Sequence, residues 1–410
     1  MVQRTKGEPK SPLVLPCGRK VRQVMTSKLS RLGMAFPGSE IRKMFAMAQR
    51  YRNTVNLAIG EPNFHTPDHI VAAAAKAIQG GDTHYTVTAG RMQLREAIAE
   101  KASAYNKIEA DPAEEIIVTI GAVGAIALAM MATVDPGHEV LIPDPGWPNY
   151  AGHVMMAGAR PVGVPLRENH DFKMQLEDLE ARVTARTRAL VVNTPHSPTG
   201  SILNRQELQR IASFALRHDL IVITDEVYQE LIYDGLTHSS IATLPDMWDR
   251  TVTITSFSKS YAMTGWRIGY ALAQKEIVGA MTRLQECTAS CPASIAQAAA
   301  LAALRGPQDC VAQMRAQYDK NRQVLVEGLN ALPGVSCVMP RGAFYAFPSI
   351  KGLGGDSWQV ATRLLEKVQV VAVPGSGFGQ HGEGYLRFSL AASRGEIAEA
   401  VARLRRFVTA

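Results

Sequence analysis

The chain has 410 residues, too many for one compact core, so two domains are expected. Apolar residues make up 46% and charged ones 20%, the balance of a soluble globular protein and not of a disordered or membrane-embedded one. The formal net charge of +7 suits phosphate or carboxylate ligands, but the clustered basic stripe that a nucleic-acid partner needs is missing from the folded part.

Residues 1–28 are basic, carry Pro9, Pro12 and Pro16, and lack a continuous apolar stretch. They are expected to form a disordered arm, not a signal peptide, and a cytoplasmic location follows. Ser39 to Arg50 is predicted as a helix docked on a small domain. Glu115–Ile120 reads as a strand and Ala122–Thr133 as a helix, too short to cross a bilayer. Strands follow at Glu139–Ile142, Ala189–Asn193, Leu220–Thr224 and Thr251–Thr255, with an amphipathic helix over Gln206–His218. Such alternation predicts a mostly parallel sheet with helices on both faces, and ligands beyond the carboxyl ends of its strands. Ile277 through Leu304 is predicted as one helical stretch and Gln308–Leu332 as another. Val335–Met339, Ala343–Pro348, Val370–Val373 and Tyr385–Leu390 read as strands of a smaller α+β domain closed by the helix Arg394–Val408. Cys17, Cys287, Cys291, Cys310 and Cys337 have no disulfide rhythm and no histidine pair at ligand spacing. They read as small buried residues, and no metal is expected.

Several segments carry chemistry. Ser256-Phe257-Ser258-Lys259-Ser260 sets an amine among hydroxyls, with Arg267 eight residues beyond it. A lysine that forms a Schiff base beside a phosphate-bearing cofactor needs such neighbours. Asp225 follows a buried strand and is followed by Tyr228. A carboxylate there keeps a nearby pyridine nitrogen protonated, although a helix-capping aspartate with a packed tyrosine fits too. Thr119 to Ala125 is a strand, a glycine turn and a helix start, hence an anion site by its N–H groups or a structural turn only. Asn193 to Gly200 is a proline-stiffened loop in which His196 reads as a loop side chain and not a base. Arg387, in an apolar strand, needs a partner: a substrate carboxylate or a structural ion pair.

Together these residues resemble the class I/II aminotransferases of the aspartate aminotransferase superfamily, from about Leu57 to Leu390. Gly60-Glu61-Pro62 is similar to the family's glycine–glutamate–proline loop, and Gly342 to Tyr345 and Pro374 to Gly379 resemble its small-domain loops. The resemblance implies a seven-stranded, mostly parallel sheet of fold type I in residues 61–300, and a small domain from 29–60 plus 301–410. It implies pyridoxal 5'-phosphate as cofactor and a homodimer that moves an amino group from an L-amino acid to a 2-oxo acid by a ping-pong cycle, with no nucleic-acid or membrane partner. Lys259 is implied as the Schiff-base and proton-carrying residue, Asp225 as the pyridinium partner and Tyr228 as a donor to the phenolic oxygen. Gly121, Ala122, Val123, Ser256, Ser258 and Arg267 are implied at the phosphate, Trp147 on the ring, and Tyr85 at the partner chain's phosphate. Arg387 with Gly60 is implied at the substrate carboxylate. Ser197 stands where the family carries asparagine, with one O–H donor in place of two N–H donors. That departure keeps a lyase, a cyclising synthase or an oxidase on the same scaffold as the alternative.

Overall fold

The computed structural model describes residues 28–36 and 38–409, in two units that divide after Pro37. In the first, the helix Arg31–Ala35 is exposed and capped by Ser30, whose hydroxyl accepts from the Gly33 N–H. The disordered arm expected for residues 1–28 lies, up to residue 27, outside the described residues.

The second unit is built on a seven-stranded sheet. Its strands are β1 (Ile116–Thr119), β2 (Glu139–Asp144), β3 (Arg160–Pro165), β4 (Thr187–Asn193), β5 (Ile221–Asp225), β6 (Thr251–Ser256) and β7 (Gly269–Leu272). They lie in the order β1-β7-β6-β5-β4-β2-β3. Neighbours are parallel except for β7, which runs antiparallel to both β6 and β1. Helices cover both faces, so the strand residues are β-branched and apolar without alternation; Val191, Val222, Ile223, Val252 and Ile254 are all buried. Since β1 and β6 are both antiparallel to β7, they run the same way as β5 and β4. Thr119, Asn193, Asp225 and Ser256 therefore end their strands along one edge of the sheet.

A second core contains Met44, Leu57, Phe344, Phe388 and Leu404. It surrounds the antiparallel strands Val373–Pro374, Leu386–Ser389 and Tyr345–Ala346. The short strand Val55–Asn56 pairs with Val370–Val371, and the Leu57 carbonyl accepts from the Ser389 N–H. The helix Glu40–Ala48 is capped by Ser39 and packs Met44 and Ala48 into this core, as expected for that segment.

Three expectations fail. The single helix over Ile277–Leu304 is two, Lys275–Ala289 and Ser294–Arg305. Ser290 turns the chain at φ 61°, and Pro292 has no N–H to continue the ladder. Val335–Met339 forms no strand beyond one bridge, Ser336 to Ser349. Of the described cysteines only Cys337 is buried; Cys287 is exposed on the solvent side of its helix, and Cys291 and Cys310 are half-buried. Among the described residues no helix is long and apolar enough to cross a membrane.

Candidate active site

At the carboxyl edge of the sheet lies a cavity of about 420 Å³, walled by both cores. Two turns feed it. Ser256, the last residue of β6, caps the short helix Phe257–Ser260 by accepting from the Ser258 N–H at 3.1 Å, and this brings Lys259 to the cavity. Its Nζ donates to the Gly60 carbonyl at 2.5 Å. Loss of water, and then the nearby Arg387 and Arg267 guanidinium groups, lower the amine's pKa to about 8, against the pull of Glu61 and Asp225.

Asp225 ends β5 and is 5% exposed. The Tyr150 hydroxyl donates to its Oδ2 at 2.5 Å and the Val227 N–H to its Oδ1 at 3.2 Å. Burial dominates and raises the carboxyl pKa to about 6. The Asn193 amide fixes this strand end, donating to the Asp225 carbonyl at 2.9 Å while its Oδ1 accepts from the Ser197 N–H at 2.9 Å. Tyr228 shares a 3.0 Å hydrogen bond with the Tyr345 hydroxyl, and burial raises its pKa well above that of an ordinary phenol, so it remains a donor.

The other turn follows β1. Gly121 has φ +66°, and a Cβ there would stand 2.7 Å from Nη2 of Arg267. Gly269, at the start of β7, lets the same turn approach, since its own Cβ would meet the Ala122 nitrogen at 2.7 Å. The helix Gly121–Thr133 starts with no side-chain cap and no acid in its first turn. Its first N–H groups and Arg267 form a positive cradle, and Ser256 and Ser258 line the same cavity. Arg267 is held by the Thr264 carbonyl at 2.8 Å.

Arg387 is 3% exposed, lies over the rings of Tyr345 and Phe378, and donates through Nη2 to the Ala58 carbonyl at 2.9 Å. Its Nε is buried without a partner, and no acidic residue pairs with it among the described residues. The structural ion pair that the sequence left open is not formed. A Cβ on Gly60 would lie 3.0 Å from the Tyr345 hydroxyl and 3.8 Å from Nη2 of Arg387, so the glycine keeps this corner clear.

The cavity thus gathers Lys259, Asp225, Tyr228, Gly60, Ala122, Val123, Trp147, Ser197, Ser256, Ser258, Arg267 and Arg387, with Gly121 at its cradle. Tyr85 is elsewhere, 88% exposed and outside the lining. His196 is buried against Thr199, and burial drops its pKa to about 3, which suits packing and not proton transfer. Tyr150 and Tyr345 were not singled out from the sequence as site residues. The first had one visible signal: it stands three residues after Trp147, a spacing that puts both on one side of a helical turn. Among the described residues no group of histidine, cysteine or acidic side chains could hold a metal ion.

The residues fit a phosphorylated pyridine aldehyde. The cradle takes an anion, the buried carboxylate of Asp225 has no guanidinium partner and suits a protonated ring nitrogen, and an amine of lowered basicity shares the cavity with both.

Known proteins resemble this chain over most of its length. The family model for aminotransferase class I and II matches residues 52–404. The aromatic-amino-acid aminotransferase 2 of Thermococcus litoralis is 43% identical over 376 residues, 91% of this chain and 96% of that protein. An aspartate aminotransferase of Pyrococcus abyssi is 45% identical with the same coverage. Among solved structures, the aromatic aminotransferase of Pyrococcus horikoshii aligns with a TM-score of 0.86 at 42% identity, covering 90% of this chain and 98% of that one. The Thermus thermophilus aspartate aminotransferase with maleate aligns with a TM-score of 0.88 at 37% identity, covering 92% and 99%.

Proposed function

This chain belongs to the class I and II aminotransferases and is a pyridoxal-phosphate-dependent aminotransferase of fold type I; on that premise we propose how its residues divide the work. When bound, pyridoxal phosphate supplies an aldehyde that condenses with amines and a ring that accepts the electron pair left when an amino acid's Cα–H bond breaks. The N–H groups of Gly121, Ala122 and Val123, the hydroxyls of Ser256 and Ser258, and Arg267 hold the phosphate. Trp147 bounds the ring. Asp225, oriented by Tyr150, holds a proton on the ring nitrogen, and Tyr228 and Ser197 hold the phenolic oxygen. Lys259 carries the proton that leaves Cα; its pKa of about 8 lets Nζ both accept and return a proton near neutrality. Arg387 takes the substrate's α-carboxylate in place of the Ala58 carbonyl, with Gly60 leaving the space.

One observation carries this reading: a single cavity holds a buried carboxylate without a guanidinium, a buried guanidinium without a carboxylate, and an amine of lowered pKa. The test combines borohydride reduction of the holoenzyme, with peptide mass mapping, and an amino-donor panel using pyruvate and 2-oxoglutarate as acceptors. We expect the mass gain at Lys259 and amino transfer without ammonia release. A mass gain at another lysine, or ammonia in place of an amino acid product, overturns it.

Three further readings belong to the same proposal. Residues 61–300 form the cofactor domain, and 29–60 with 301–410 form the small domain. The active form is a homodimer in which Tyr85 serves the neighbouring site, which its 88% exposure supports. The enzyme works in the cytoplasm.

A further inference from the structure

The cavity wall beside Arg387 comes from the helix Glu40–Ala48. Met44 and Ala48 are buried in the core, and Ile41 and Phe45, on the same apolar stripe and partly buried against that core, line the cavity. This helix is fixed close to the arginine. The Ser376 hydroxyl donates to Glu40 at 2.8 Å, and Phe378, two residues on, lies under the Arg387 guanidinium at 4.9 Å. Ile59, from the segment that also supplies Gly60, adds another apolar side chain.

The positive groups of the cavity are otherwise committed. It contains two guanidinium groups and one amine. Arg267 stands at the Gly121 turn, Arg387 faces the position of the α-carboxylate, and Lys259 is the reacting amine. Among the described residues no further cation of this chain lines the cavity, and the remaining charged lining residue beside Asp225 is Glu61, itself a carboxylate. A substrate with a second carboxylate would set it against Ile41 and Phe45 with no cation of this chain to pair with, which disfavours it. An apolar side chain gains from the same wall.

We infer that Ile41 and Phe45 form the side-chain subsite and select apolar or aromatic amino donors over acidic ones. This rests on the aminotransferase reading and on Arg387 as the α-carboxylate site. Phe45 is the larger determinant, because a ring offers the most contact area at a fixed position.

The experiment mixes holoenzyme with a single amino donor and no acceptor, and follows the loss of its visible absorbance. Phenylalanine is expected to react with a kcat/KM at least tenfold above that of aspartate. Phe45→Ala should lower the ratio of phenylalanine to alanine kcat/KM at least tenfold, the effect of removing apolar contacts from a specificity pocket. Inhibition by 3-phenylpropionate and by succinate gives a second readout that needs no chemistry: the former is expected to bind more tightly to wild type, and Phe45→Leu to retain most of that preference. Aspartate reacting as well as phenylalanine, or succinate binding as tightly, overturns the inference alone. If no donor reacts and Lys259 takes no label on reduction, the underlying reading falls with it.

Discussion

Asp225 contributes more to binding than to the stability of its own fold. Burial raises its pKa from the ordinary carboxyl value of 3.8 to about 6, so between those values the folded state holds a proton that the unfolded state has released. Stability of the cofactor-free protein must therefore fall as pH rises from about 4 to 6, and stay lower above it. A rise of that size corresponds to about 2–3 kcal/mol. Asp225→Asn, whose amide oxygen can accept from the Val227 N–H while its NH2 donates to the Tyr150 hydroxyl, should melt higher than wild type at pH 7 without cofactor and lose most of the pH dependence over that window. It should also bind pyridoxal phosphate more weakly. Equal melting curves would contradict this account of the carboxylate. Ser197 is a second residue with a clear test. Its backbone is fixed by Asn193, but its hydroxyl is shorter than an asparagine amide and has one donor. One missing hydrogen bond to a charged group is worth about 1.5–3 kcal/mol. Ser197→Asn should move the midpoint of the holoenzyme's absorbance–pH titration by about one to two pH units, whereas overlaid curves and equal turnover would make the substitution inconsequential.

At the scale of elements, the site depends on two strand-to-helix turns and one strand end. The turn after β1 works because Gly121 adopts φ +66° and Gly269 lies directly beneath it. Alanine at 121 would meet Arg267 and strain the backbone by about 1–2 kcal/mol. Gly121→Ala should therefore weaken cofactor binding at least about tenfold, as read by titration of the apoenzyme, or about 1.4 kcal/mol. These turns are legible in the sequence, because a β-branched run followed by glycine or by a polar cluster marks a strand end, and a doubly covered sheet presents such ends to ligands. Lys259, Asp225 and Gly121 all stand at such ends. Tyr150 was not legible as a partner of Asp225, since the two are 75 residues apart and meet only once β2 and β5 are aligned. Tyr345 meets Tyr228 across 117 residues for the same reason. The break near Pro292 was hidden by the alanine-rich sequence around it, and β3 by the prolines at its second and last positions, which suit an edge strand but obscure its period.

Across the whole molecule, the exposed Tyr85 and Val87 are the clearest unfinished surface. If Tyr85 completes a neighbour's phosphate site, activity requires two chains. The active holoenzyme should elute in gel filtration at about twice the chain mass, and Tyr85→Phe should weaken cofactor binding without changing that mass. A fully active single chain would contradict the assembly.

The segment Ala58–Gly60 receives Arg387 on one carbonyl and Lys259 on another. Both cations have left bulk water before any ligand arrives, and each leans on a neutral main-chain oxygen. An incoming anion therefore displaces a dipole instead of a hydration shell, and most of the dehydration was completed when the chain folded. The same arginine that burdens the empty protein should make the filled one disproportionately heat-resistant.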